Sequence, residues 1–244
     1  YSNLNIFPDF LIVGPQRTGT SWLAHNIKNH PQIIFSQPKE LFFLNSLPKS
    51  HPFYTSNDLT WYLKHFEQKW SWSNYKKLFY KKIRGEGTAS YAAMSKDLIN
   101  NVVKLNPDIK VIVMARNPIK RAWAHAKKDL LNKSHMNNKL NKIEEVDDSV
   151  FENFFKSQYQ VSCGSYSKII NNWQTSLKQG NLFVGFFDDL SLTPKSLILD
   201  VYNFLGVSNN KKHITDLYQG KINQTDKSEK RDLPEKFEKI LNDL

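Results

Sequence analysis

FLIVGPQRTGTSWL, residues 10–23, is the stretch whose reading decides the fold. Phe10-Leu11-Ile12-Val13 is a short apolar run of the kind found in a strand covered on both faces. Gly14-Pro15 ends it, and Gly19 lets the loop backbone come close to a ligand. Thr20 and Ser21 suit the cap of a following helix. A helix N-terminus at the carboxyl end of a parallel strand presents free N–H groups and a positive dipole, which fit a phosphate or sulfate. Gly14 to Ser21 spells G-x-x-x-x-G-T-S; a nucleoside-triphosphate P-loop has lysine where Thr20 stands. The nearest cation is Arg17, inside the loop, and a planar guanidinium can hold two oxygens of one anion.

Outward from this loop, strands alternate with helices. Ile33–Phe35, Ile83–Glu86, Val111–Ala115 and Leu182–Phe187 read as further strands. Helices are expected over Ser21–Asn29, Leu59–Phe66, from Ser95 to Leu105, after Pro118, over Val150–Gln158 and Tyr166–Leu177, from Thr193-Pro194 to Leu205, and over Glu235–Leu244. Asn132 to Ser149 is polar and without period, and reads as an exposed loop or insertion. The pattern predicts an α/β fold, a doubly wound parallel sheet flanked by helices, with residues 1–244 as one domain. Ligands of such sheets sit at the carboxyl ends of the strands. Those ends carry Gly14–Thr20, Lys39-Glu40, Glu86–Thr88 and Arg116-Asn117.

Composition narrows the partners. The net charge is +11, from 34 Lys and Arg against 23 Asp and Glu, which favours anionic ligands. Aromatic residues at 13% argue against disorder. No apolar run reaches the roughly 18 residues of a membrane span. Cys163 is the single cysteine, so an internal disulfide and a cysteine metal cluster are both ruled out, and a reducing, cytoplasmic setting is expected.

Arg116 ends the apolar strand, where it either points to water or meets a ligand. Trp22 either stacks on a base or packs under the loop. Trp61, Trp70 and Trp72 either line an acceptor cleft or cover the core. Asp188-Asp189 imitates a magnesium-binding aspartate but reads better as a turn and cap. Lys227, Lys230 and Arg231 form a basic cluster, either a solvated face or a flap over a nucleotide. His25, His51 and His125 are candidate bases.

Pro15-Gln16-Arg17-Thr18-Gly19-Thr20-Ser21-Trp22-Leu23 resembles the 5′-phosphosulfate loop of sulfotransferases that use 3′-phosphoadenosine 5′-phosphosulfate (PAPS), in which lysine often stands at the place of Arg17. Arg116-Asn117-Pro118-Ile119-Lys120-Arg121-Ala122-Trp123 resembles that family's 3′-phosphate signature, though Ala124 follows where serine is usual. Lys39-Glu40-Leu41-Phe42-Phe43 resembles the Lys-Glu-x-x-Phe-Phe stretch of the heparan-sulfate and bacterial branch, where the glutamate is the catalytic base. Glu86-Gly87-Thr88-Ala89-Ser90-Tyr91 resembles its Glu-Lys-Thr-Pro-x-Tyr stretch, with Gly87 in place of lysine.

The resemblance implies that Arg17, Thr18, Gly19, Thr20, Ser21 and Trp22 hold the donor, that Arg116 takes the 3′-phosphate, and that Lys227, Lys230 and Arg231 close over the nucleotide. Glu40 is then the base, with Arg17 supporting sulfuryl transfer and Lys39, Phe42 and Trp61 meeting the acceptor. The implied ligands are PAPS and its product, adenosine 3′,5′-bisphosphate (PAP), without a metal. The acceptor is a small molecule or a glycan, not nucleic acid. Two other readings stay open: a P-loop kinase or hydrolase, favoured by Asp188 and the glycine spacing, and a non-catalytic polyanion-binding module, favoured by the charge.

Overall fold

β1, Phe10–Ile12, lies at the centre of a five-stranded sheet of order β2-β3-β1-β4-β5. The computed structural model describes residues 4–67, 81–132, 146–218 and 232–243. β2 is Ile33–Phe35, β3 Ile83–Glu86, β4 Lys110–Ala115 and β5 Leu182–Phe186, and every pairing is parallel. The chain winds from β1 out to β2, back through β3, and across β1 to β4, so the sheet is doubly wound as the strand–helix alternation predicts.

Period-two alternation divides the core between the two faces. Leu11, Val13, Val111 and Val113 face one layer with Tyr62, Tyr91, Ile99, Val102, Ile169 and Trp173. Phe10, Ile12, Ile112 and Met114 face the other, with Trp22, Leu23, Ile198, Val201 and Tyr202. The helices supplying these layers are α1 (Thr20–Ile27), α2 (Leu59–Lys64), α3 (Lys96–Leu105), α7 (Tyr166–Gln174) and α9 (Pro194–Leu205). A satellite cluster joins α4 (Pro118–Asn132), α5 (Asp148–Lys156) and α10 (Glu235–Asn242) through Trp123, Phe151, Phe155 and Phe237.

Two departures from the sequence reading bear on the site. Thr20 and Ser21 do not cap α1: Gly19 holds the cap position in a left-handed conformation and no side chain bonds there. A separate helix, α6 (Gln158–Gly164), stands where continuous α5 was expected to end. Its start is set by Ser157, whose hydroxyl accepts from Gln160 N–H while its own N–H returns to Phe154 O, closing α5 and opening α6 at one residue. The short α8 (Asp189–Leu192) follows β5 with Asp188 at its cap position, where its side chain makes no capping bond, so the pair forms the turn without the expected cap.

Candidate active site

The loop after β1 presses on the end of β4. A Cβ on Gly14 would lie 2.7 Å from Met114 O and 2.7 Å from Thr18 Oγ1, so only glycine fits. Gly19 adopts φ 92°, and a Cβ there would meet Leu190 Cδ2 at 2.5 Å. Arg17 itself sits at φ 74°, a left-handed conformation that an arginine holds only when its surroundings enforce it. Thr18 is fully buried and its hydroxyl donates to Pro15 O at 2.7 Å, so this side chain shapes the loop and leaves the first N–H groups of α1 as the loop's donors.

Arg116, at the end of β4, reaches this loop: its Nη1 donates to Arg17 O at 3.0 Å and its guanidinium lies 4.0 Å over the Phe187 ring. Burial, and then the like charge of Arg17, push the Arg116 pKa down; burial does the same to Arg17, opposed by Asp129. Two partly desolvated guanidiniums held within reach of each other repel, and an anion between them would relieve that repulsion. The two strand-end arginines singled out in the sequence therefore converge.

Lys39 and Glu40 come to the same place from β2. Lys39 Nζ donates to Glu40 Oε1 at 2.8 Å and to Thr20 Oγ1 at 3.4 Å, so one ammonium joins the carboxylate to the first residue of α1. The Glu40 side chain is 35% exposed and open to a partner. A Cβ on Gly87 would lie 3.5 Å from Lys39 Cε, so the Lys39 stem runs beside the position where the resembling branch carries lysine. Phe42, at φ 52°, stacks on Phe53 with centroids 5.0 Å apart. Trp61 packs instead with Phe43 and His65 against the main core.

Behind Glu40 stands Glu86, whose stretch the sequence marked as a strand end and by resemblance without giving the carboxylate a role. Glu86, at the end of β3, is fully buried and accepts from Thr88 Oγ1 at 2.6 Å, from Tyr91 OH at 2.8 Å and from the Tyr62 hydroxyl. Burial pushes its carboxyl up, and raises the phenols of Tyr62 and Tyr91 well above their usual range. The same hydroxyls grip the chain after Glu40: Thr88 Oγ1 accepts from Leu41 N–H at 3.1 Å, and Tyr91 OH accepts from Phe43 and Leu44 N–H at 3.0 Å each. Glu86 and Tyr62 are 24 residues apart, so no sequence spacing announces the pair.

Other candidates fall away from this centre. Trp22 is 7% exposed in the core beneath α9, and its Nε1 donates to Tyr218 O at 2.9 Å; its ring packs the core and is not open to a base. His125 is buried between Gln160 and Asp129, and His51 Nδ1 accepts from Phe53 N–H. His25 lies against Tyr218, ring centroids 4.8 Å apart. Trp70, Trp72, Lys227, Lys230 and Arg231 lie outside the described residues. Among the described residues, no group of three or more His, Cys, Asp or Glu could hold a metal ion.

Comparison with known proteins gives the fold and the family. A membrane-associated sulfotransferase of Dictyostelium discoideum, kil1, is 31% identical over 115 residues, 47% of this chain and 21% of its own length. The bifunctional heparan sulfate N-deacetylase/N-sulfotransferase 2 of Homo sapiens is 26% identical over 209 residues, 82% of this chain. The chain thus spans about a fifth of these relatives, 21% and 22% of their lengths. Among solved structures, a sulfotransferase from Alicyclobacillus acidocaldarius superposes with TM-score 0.63 at 23% identity, covering 83% of this chain and 82% of that one, which shows a shared fold. A family model described as the sulfotransferase domain matches residues 7–240, nearly the whole chain, and the chain therefore belongs to the sulfotransferase family, whose chemistry is sulfuryl transfer.

Proposed function

We propose that the protein is a PAPS-dependent sulfotransferase acting on a hydroxyl or amine of a small-molecule or glycan acceptor. The observation that carries this reading is the Thr20–Lys39–Glu40 bridge, which joins the anion loop to a partly exposed carboxylate suited to be a base. When bound, the donor supplies an activated sulfuryl group with a bisphosphate as leaving group. Arg17 and the N–H groups of Thr18 to Ser21 hold its 5′-phosphate and sulfate, and Arg116 holds the 3′-phosphate. Glu40 takes the proton of the acceptor as its oxygen or nitrogen attacks. Lys39 keeps the Glu40 carboxylate oriented and offers a cation next to Thr20, and it stands in for the lysine replaced by Gly87. The arginines and loop amides supply the positive charge, so the design requires no metal. Lys227, Lys230 and Arg231 are assigned to closure over the nucleotide.

Phe42 is assigned to the acceptor side, and Trp61, packed with Phe43 and His65, to the core. The likeness to a heparan sulfate N-deacetylase/N-sulfotransferase and the charge of +11 favour an anionic glycan among the acceptors. No helix among the described residues is long and apolar enough to cross a membrane, and the lone buried Cys163 suits a reducing, cytoplasmic setting.

The test is thermal unfolding with PAP and, separately, with ATP and magnesium. At about 100 times its dissociation constant, a ligand of the native state adds about 2.7 kcal/mol. A shift with PAP alone is expected; a shift with ATP–magnesium alone would overturn the reading. Glu40→Gln should lower turnover by roughly 10²–10⁴-fold while PAP still binds as in the wild type. Turnover that survives the substitution removes Glu40 as the base.

A further inference from the structure

The segment that follows Glu40 is held by one buried carboxylate at one remove. The N–H groups of Leu41 and Phe42 donate to Thr88 Oγ1 at 3.1 and 3.4 Å, and those of Phe43 and Leu44 donate to Tyr91 OH at 3.0 Å each. Thr88 and Tyr91 in turn donate to one and the same atom, Glu86 Oε1, at 2.6 and 2.8 Å. Tyr62 completes the grip: its hydroxyl donates to Glu86 Oε2, and its ring stacks on Phe43 with centroids 4.3 Å apart. Successive N–H groups turned to one side form a concave nest of the kind that binds an anion. Here the anion is the chain's own carboxylate, reached through two hydroxyls.

Two local sacrifices accompany this grip. Phe42 sits at φ 52°, a left-handed conformation that is costly for a bulky side chain and persists only where the surroundings over-determine it. Thr88 occupies the cap position of the short 3₁₀ helix Ala89–Ala93 yet makes no capping bond, because its hydroxyl is spent on Leu41, Phe42 and Glu86. A strained residue is thus accepted, and a cap given up, directly beside Glu40. The segment is pinned from outside as well, by Thr55 Oγ1 donating to Leu41 O at 2.7 Å. On its other side Glu40 is tied to Lys39, and through it to Thr20 of the anion loop. Glu86 is fully buried among its hydroxyls and meets no acceptor itself, so its influence on the reaction passes through the segment it holds.

We propose that Glu86 is a positioning residue for Glu40: through Thr88 and Tyr91 it fixes the nest at 41–44, and with it the left-handed turn at Phe42 that aims the Glu40 carboxylate at the acceptor beside Thr20. This rests on the reading of Glu40 as the base. Two carboxylates then divide the work. Glu40, partly exposed, takes the proton, and Glu86, enclosed, holds the backbone that carries it. Thr88 is the nearer link of the relay, since it holds the two residues directly after Glu40.

The experiment compares wild type, Thr88→Val, Thr88→Ser and Glu86→Gln. Calorimetric titration with PAP gives the affinity and counts the competent sites. Turnover is PAP released from PAPS per site so counted, with N-desulfated heparan sulfate and a phenol as probe acceptors, so that a loss caused by unfolding alone does not register. Thr88→Val keeps the shape without the hydroxyl and should lose roughly 10- to 100-fold in kcat, the size expected of a misplaced catalytic group, with PAP affinity as in the wild type. Thr88→Ser restores the hydroxyl and should recover most of that loss. Glu86→Gln should lose kcat as well, and its combination with Thr88→Val should add little, because both act through one relay. Amide hydrogen exchange at Leu41 and Phe42 of the ligand-free protein should quicken in Thr88→Val and not in Thr88→Ser. If Thr88→Val does not fold, Tyr91→Phe carries the same comparison, with exchange read at Phe43 and Leu44. Wild-type kcat or unchanged exchange in Thr88→Val, an equal loss in Thr88→Val and Thr88→Ser, or a loss of PAP affinity as large as the loss in kcat overturns the inference and leaves Glu40 as the base. A wild type that binds PAP yet turns over neither probe, or undiminished turnover in Glu40→Gln, overturns the reading of Glu40 itself, and the inference with it.

Discussion

Two buried charges lie beyond the ends of neighbouring parts of the sheet, and they are treated in opposite ways. Glu86, at the end of β3, has three hydroxyls turned toward it, from Tyr62, Thr88 and Tyr91. Arg121, past the end of β4, has one neutral partner, Gln160. Both are removed from water, so both bear a desolvation cost. At Glu86 the fold itself supplies the compensation, and the same hydroxyls fix the backbone of Leu41 to Leu44 next to Glu40. At Arg121 the fold leaves the compensation incomplete. The difference teaches what two buried charges can rest on: the first is saturated by its own chain, and the second only on one side.

The comparison can be broken first at Glu86. Glu86→Ala leaves a cavity and three hydroxyls without their acceptor, and should cost roughly 2–5 kcal/mol in urea unfolding. A loss below about 0.5 kcal/mol would erase the contrast. Glu86→Gln keeps the shape but turns an amide N–H₂ toward hydroxyl donors, and should cost about 1–3 kcal/mol. Its effect should also depend on pH. Burial raises the Glu86 carboxyl above its ordinary 4.5, outweighing the hydrogen bonds from Thr88, Tyr62 and Tyr91. Above 4.5, and up to the raised folded value, the folded state binds more protons than the unfolded, so stability falls as pH rises through that window. The stability of wild type relative to Glu86→Gln should therefore be greatest at pH 4.5 or below and should decline above it. The opposite slope would mean that the three hydroxyls hold the group ionised. The smallest effect is expected for Tyr91→Phe, about 1–2 kcal/mol, because that hydroxyl both serves Glu86 and accepts two backbone N–H groups. It should lower turnover by loosening the segment after Glu40 while leaving PAP affinity as in the wild type. If both stay unchanged, the hub does not position Glu40.

The sequence by itself determined the frame of this protein. Four apolar residues before Gly14, the apolar run of β4 and the alternation with helices suffice for a doubly wound parallel sheet, because period-two burial on both faces needs long stretches without charge. The glycines at 14 and 19 marked the anion loop through their own backbone demands, Arg116 was legible as a polar residue following an apolar strand, and Glu40 stood out only through the resemblance of its stretch. Capping was misread, since Thr20 in isolation is a good cap, whereas in the fold its hydroxyl meets Lys39, a residue of another strand end. Trp22 offered two readings, and only the packing of α1 under α9 chose the core. The Glu86 hub, the approach of Arg116 to Arg17, and the half-partnered Arg121 belong wholly to the tertiary structure. Each depends on residues brought together from separate elements, and desolvation, which decides what a charge costs and what it can bind, exists only once those elements have closed around it.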